Sequence, residues 1–282
     1  MGRGRTQPCI PEKSRLKETA RKHKDGAIAV VIFDLDDTLY DCFRQRVVAA
    51  HRHAARAMVR AGVKAGVEQV LRARMKAFRI DPHLRYIDGE ICRRFGVRDR
   101  RRMMRLARDA YFSCPVGKLA LFRGARGVLR ELHARGVRQF VVTFGNPRTQ
   151  REKVRALGLD REPSIEEIHY ADTGNVVTKE AVFRKILRRT KVAPENVLVV
   201  GDRPSGEIRA GKELGMHTVR IRRGEFASLE PSGPMEKAEF EIQNISRLLK
   251  LPVIFTLRTQ DDQQAGREKR KKSRLPVAVE AR

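Results

Sequence analysis

Aromatic side chains are scarce in this chain of 282 residues, at 6% of the total. No stacking platform accompanies the basic stretches, which counts against single-strand nucleic-acid binding. Cysteine is also scarce: Cys9, Cys42, Cys92 and Cys114 are scattered and form no Cys-x-x-Cys pair. They read as free thiols of a reducing compartment rather than as a disulfide frame. Histidine offers no zinc constellation. His51 and His53 stand two apart, which does not bring them face to face on a helix, and His83, His133, His169 and His217 are isolated. No apolar run approaches the roughly 18–20 residues needed to span a bilayer. The first residues are polar and basic with no apolar core, so no secretory signal is expected and a cytoplasmic location is. Gly201, Gly206 and Gly211 miss the Gly-x-Gly-x-x-Gly spacing and no Gly-Lys-Ser/Thr loop exists, which excludes nucleotide-cofactor folds. Acidic residues are few, 34 against 61 Lys and Arg, for a formal charge of +27. Such a field attracts nucleic acid, anionic membrane surfaces or anionic small substrates, and says nothing about the fold.

The few acids that exist are placed tellingly. Val30-Val31-Ile32-Phe33 runs into Asp34-Leu35-Asp36-Asp37-Thr38, and Val197-Leu198-Val199-Val200-Gly201 runs into Asp202, with Glu207 five positions on. Each apolar, β-branched run reads as a buried parallel strand ending in carboxylates. The carboxyl ends of strands are where open α/β sheets bind ligands. Acids brought there by two strands make a site for a hard divalent metal, and such a metal suggests phosphate chemistry. Asp34 and Asp36, two apart at a strand end, point to one side of the pleat and repel each other. One is then suited to stay ionised and the other to carry a proton. A calcium loop of EF-hand type fails on spacing, because its sixth position would be Leu39 and its twelfth Gln45.

Residues 1–27 are charged and aperiodic and read as a basic tail, as do residues 258–282. A strand is expected over about Ile28–Asp34. Residues 41–117 then read as four helical stretches broken at Gly62–Gly66, Asp81-Pro82 and Gly96–Asp99, an all-helical insertion. It carries 19 Arg or Lys against 7 Asp or Glu, with Arg98, Arg100, Arg101, Arg102, Arg105 and Arg108 crowding one helix. Beyond it, helices are expected at Val128–Arg135, Gln150–Leu157, Lys179–Leu187 and Ile208–Leu214. Strands are expected at Val137–Thr143, Ile165–Tyr170 and His217–Ile221, with a last strand and helix within Glu239–Leu249 and a loop over Ala171–Asn175. This alternation over residues 28–40 and 118–257 predicts a doubly wound, parallel α/β sheet.

The first motif, Asp34-x-Asp36-x-Thr38 after an apolar strand, resembles that of the haloacid dehalogenase (HAD) superfamily. Thr143 at a strand end, Lys179 opening a helix, and Gly201-Asp202-Arg203-Pro204-Ser205-Gly206-Glu207 resemble its second, third and fourth motifs, in order. The resemblance spans about residues 28–250 and implies a Rossmann-like core with the insertion as a helical cap that closes over the site and selects the substrate. It implies that Asp34 attacks phosphorus and that Asp36 is the acid and then the base. Mg2+ would be held by the Asp34 side chain, the Asp36 main-chain carbonyl and Asp202, with Glu207 ligating directly or through water. Glu207 departs from the pattern, since many relatives carry Asp there. Thr143, Lys179 and N–H groups near Asp37 and Phe144 would hold the phosphoryl oxygens. Asp36 favours ester hydrolysis over dehalogenation. The expectation is a hydrolase of a small phosphorylated substrate, like the phosphoglycolate phosphatase branch. Alternatives are a nucleic-acid-associated protein, which would use the basic cap and tails, or a nucleotide or nucleic-acid phosphatase on this scaffold, and a phosphotransferase or mutase.

Overall fold

The computed structural model describes residues 27–172 and 178–255. The two basic tails (Ala27 apart), Cys9 and positions 173–175 of the expected Ala171–Asn175 loop lie outside the described residues. In chain order, β1 (Val30–Phe33) is followed by α1 (Val48–Arg60), α2 (Val67–Ile80), α3 (Leu84–Arg94) and α4 (Arg100–Ser113). Next come α5 (Ala125–Ala134), β2 (Arg138–Phe144), α6 (Pro147–Ala156), β3 (Glu167–Ala171) and α7 (Lys179–Thr190). β4 (Val197–Gly201), α8 (Arg209–Glu213), β5 (His217–Ile221), β6 (Phe240–Ile242) and α9 (Pro252–Phe255) complete the series.

The chain forms two compact units. Among the described residues, one gathers those up to Leu39, Phe122–Pro147 and those from Asp160 on; the other holds Tyr40–Leu121 and Arg148–Leu159. The first is a six-stranded sheet in the order β3-β2-β1-β4-β5-β6, with every neighbouring pair parallel. β1 and β4 are buried along their whole length, which is why each reads as an unbroken apolar run. Val30, Ile32, Phe140, Val142, Val197 and Val199 pack with Val182, Phe183 and Ile186 of α7 into one core. Strand order reverses between β1 and β4, so the crevice where α/β sheets bind ligands opens between them.

The second unit contains α1 to α4, separated at the expected breakers. Ala55, Met58, Val70, Leu71, Ile91, Cys92, Met103 and Ala107 form its core. At its centre the fully buried Arg74 donates to Asp88 Oδ1 at 2.5 Å and to His51 Nδ1 at 3.3 Å.

Several boundaries differ from the sequence reading by a few residues, and three of the differences have a clear cause. α6 begins at Pro147 rather than Gln150, since the fixed φ of proline suits a first helical turn. The helix expected at Ile208–Leu214 shortens to α8, because Pro204–Ile208 forms a wider turn around a non-helical Gly206. The last expected helix is a 3-10 stretch, Ile245–Lys250; Leu251 before Pro252 is extended and separates it from α9. Among the described residues no helix is long and apolar enough to cross a membrane.

Candidate active site

The β1 and β4 strand ends are tied together where the peptide N–H of Asp34 donates to the Val200 carbonyl at 2.9 Å. Asp34 and Asp202 therefore emerge side by side, both almost fully buried. Glu207 folds back from the wide turn after β4. A side chain at Gly201 would put Cβ 2.0 Å from Glu207 Cγ, so the glycine makes the room. Carboxylate oxygens of Asp34, Asp202 and Glu207 lie within 4.8 Å of one another.

Thr178 caps α7 by accepting from the Ala181 N–H, and so sets where Lys179 starts. Lys179 Nζ donates to Asp34 Oδ1 at 2.5 Å and to Glu207 Oε2 at 2.7 Å. The second Glu207 oxygen accepts from the Arg203 N–H at 2.7 Å.

These contacts order the acidities. Burial pushes the Asp34 carboxyl up to about 7; Lys179 opposes that, and Glu207 and Asp36 reinforce it. Burial also raises Asp202 well above the usual carboxylate range, helped by Glu207, Asp34 and Asp37. Glu207 goes the other way. Burial would raise it, but the Lys179 charge and hydrogen bond, with the Arg203 N–H, hold it low. Burial would lower Lys179, and the two carboxylates hold it above its ordinary value instead.

Thr143 occupies the penultimate position of β2, and its buried hydroxyl has no hydrogen-bond partner among the described residues; the same holds for Thr38. Two orphaned buried hydroxyls, one following β1 in the chain and one at the end of β2, are poised to bind something polar. Phe144, next along, is 41% exposed and lines a cavity of about 340 Å³ with Lys179, Arg203, Gly206 and Glu207. Asp36 is half-buried, and its carboxylate stands outside the three-acid cluster.

The family model for haloacid dehalogenase-like hydrolases matches residues 28–215, from the start of β1 through the helix after the last acidic motif. The chain belongs to this family. It is 31% identical over 229 residues to glyceraldehyde 3-phosphate phosphatase of Methanopyrus kandleri, covering 79% of this chain and 96% of that protein. The Pyrococcus furiosus protein of the same name is 29% identical, with 79% and 92% covered. Among solved structures, a HAD-hydrolase of Bacillus subtilis bound to magnesium superposes with a TM-score of 0.57 at 19% identity, covering 80% of this chain and 99% of that one.

The sequence reading of this HAD hydrolase missed Arg220 and the turn Gly224–Phe226. Arg220 is fully buried in β5; it donates from Nε to the Asp202 carbonyl at 3.3 Å and from Nη2 to the Phe226 carbonyl at 2.8 Å. A lone arginine inside the apolar strand His217–Ile221 is the incongruity that could have flagged it.

Proposed function

We propose that this HAD hydrolase is a Mg2+-dependent phosphatase of small phosphomonoesters acting through an aspartyl-phosphate. The observation that carries this reading is the convergence of Asp34, Asp202 and Glu207, with Lys179 bridging two of them. An all-oxygen, carboxylate donor set suits a hard divalent cation, and two carboxyl groups that burial makes reluctant to ionise are what such a cation relieves. Asp34, Asp202 and Glu207 would hold Mg2+, which when bound supplies positive charge to the phosphoryl oxygens.

Asp34 attacks phosphorus, forming the Asp34 O–P bond as the P–O bond to the leaving alcohol breaks. Asp36 gives its proton to that departing oxygen. It then takes a proton from the water that attacks phosphorus, which frees phosphate and restores both carboxyl groups. Lys179 and the Thr143 hydroxyl stabilise the equatorial oxygens, with N–H groups near Asp37 and Phe144. Because glyceraldehyde 3-phosphate phosphatases align over most of this chain, glyceraldehyde 3-phosphate is the first substrate to assay. Release of free phosphate without an acceptor alcohol separates a hydrolase from a phosphotransferase or mutase.

The test is hydrolysis of a generic aryl phosphate and of glyceraldehyde 3-phosphate with and without a chelator. Asp34→Asn is expected to lower kcat by at least about a thousandfold, as removal of a nucleophile does. Full activity in that variant overturns the reading.

One observation favours a second property, contact with nucleic acid. Arg98, Arg100, Arg101, Arg102, Arg105 and Arg108 are all exposed, and none has a carboxylate partner among the described residues.

A further inference from the structure

Asp37 is a non-glycine residue in the left-handed region, with φ 54°, next to a proposed proton carrier and one residue from an orphaned hydroxyl. Such a backbone persists only where its surroundings hold it. The holding contacts come from 188 positions away. The peptide N–H of Glu225 donates to Asp37 Oδ2 at 3.2 Å. Gly224, at φ 69°, lies so close that a Cβ there would stand 2.0 Å from Asp37 Cγ. The next residue, Phe226, puts its ring under the Arg203 guanidinium at 4.9 Å, and the Arg203 N–H is the one that fixes Glu207. Buried Arg220 joins the Phe226 carbonyl to the Asp202 carbonyl, and reaches the Leu229 carbonyl at 2.6 Å. One short turn after β5 thus grips the loops that follow β1 and β4.

We propose that the turn Gly224–Phe226, stapled by Arg220, is a positioning element of the phosphate site: it sets the Asp37 backbone, and through Arg203 the Glu207 carboxylate, for phosphoryl binding. This rests on the phosphatase reading above. The turn does not touch the reacting atoms; it acts by holding the peptide groups that follow Asp36. A cradle of backbone N–H groups loses much of its effect when misplaced by about 1 Å.

The test is a double-mutant cycle on the full chain, read as kcat/KM for p-nitrophenyl phosphate and as the rise in Tm given by inorganic phosphate. Gly224→Ala drives a methyl into Asp37 and is expected to lower kcat/KM at least about tenfold and to shrink the phosphate-induced shift. Where Asp37 is already glycine the clash is gone, so adding Gly224→Ala to Asp37→Gly should cost less than about twofold. The backbone strain of alanine at φ 69° is common to both backgrounds and cancels. Glu225→Pro removes the gripping N–H while Glu225→Ala keeps it, so the proline variant should lose at least about tenfold relative to the alanine one. That pair also decides the matter if Gly224→Ala does not fold. Equal losses from Gly224→Ala in both backgrounds, or equal activity of the two Glu225 variants, overturn the proposal. An inactive wild type that still gives the predicted pattern of phosphate shifts would count against the catalytic reading and leave the positioning role standing.

Discussion

At the scale of single residues, the site is built from groups whose partners tell their roles apart. Lys179 makes two hydrogen bonds, to Asp34 and Glu207, whereas the Thr143 hydroxyl is buried without a partner among the described residues. A hydroxyl that gives up solvent without an internal partner weakens the fold. Thr143→Val is therefore expected to keep Tm or raise it slightly while lowering kcat/KM by roughly a hundred- to a thousandfold, the usual worth of one donor to a developing charge. Thermal melts and steady-state kinetics on one preparation check both halves; a lower Tm with unchanged kinetics would make Thr143 structural. The acids at the strand ends could be read from sequence because a carboxylate has no reason to follow Val-Val-Ile-Phe unless the strand stops at a site. Gly224 could not. Its importance comes from the nearness of Asp37, and no local pattern encodes a contact across 188 positions.

At the scale of elements, the helices were legible from their punctuation: Gly62, Gly66, Asp81-Pro82 and Gly96 fall between α1, α2, α3 and α4. What lies at the centre of that unit was not. Arg74 reads as one more surface charge in a basic stretch, yet it is fully buried against Asp88 and His51, with Phe78 and Tyr111 edge-on to the imidazole. Removing one member of a buried pair strands the other. Asp88→Ala should lose about 3–5 kcal/mol in urea unfolding, and Arg74→Met/Asp88→Leu should recover most of it. Burial, with the Arg74 charge, also pushes His51 down to about 3 from an ordinary 6.5. The folded chain therefore resists a proton that the unfolded chain accepts. Stability is complete above about pH 6.5 and falls as pH drops toward 3, by at most about 1.4 kcal/mol per unit from this group. Asp88, raised by its own burial, pulls the other way. Comparing wild type with His51→Gln at pH 7 and pH 5 isolates the histidine, whose removal should flatten the acid-side slope.

At the scale of the whole molecule, the parallel sheet was legible because strands and helices alternate on either side of one insertion. The charge of +27 was legible as a number, and the structure gives it a local form. Arginines elsewhere are often matched to carboxylates, as in Arg138–Glu166 and Arg184–Glu180, whereas those of α4 are exposed and unmatched among the described residues. Arg101, Arg105 and Arg108 fall on one helical face. If that face meets nucleic acid, Arg101→Glu/Arg105→Glu/Arg108→Glu should weaken oligonucleotide binding and reduce the slope of log K against log salt by about 2–3. Asp34→Asn should leave binding as it was. Fluorescence anisotropy at several salt concentrations is the measurement, and a triple variant that binds like wild type would sink the idea.

The pairing of β1 with β4 matches Val30 to Val197, and Lys179 reaches back 145 positions to Asp34. Closing loops of that length is entropically slow to be rewarded, and contacts of such separation delay folding. Asp34, the proposed nucleophile, is therefore made well before the segments that complete its site and is among the last residues to be given its surroundings. A nascent chain halted before β4 holds Asp34 and Thr143 but lacks one of the two strands that flank β1, the acids that follow it and the arginine that staples the turn. Catalytic competence should appear as a late, single step in synthesis, once β5 and its turn have emerged.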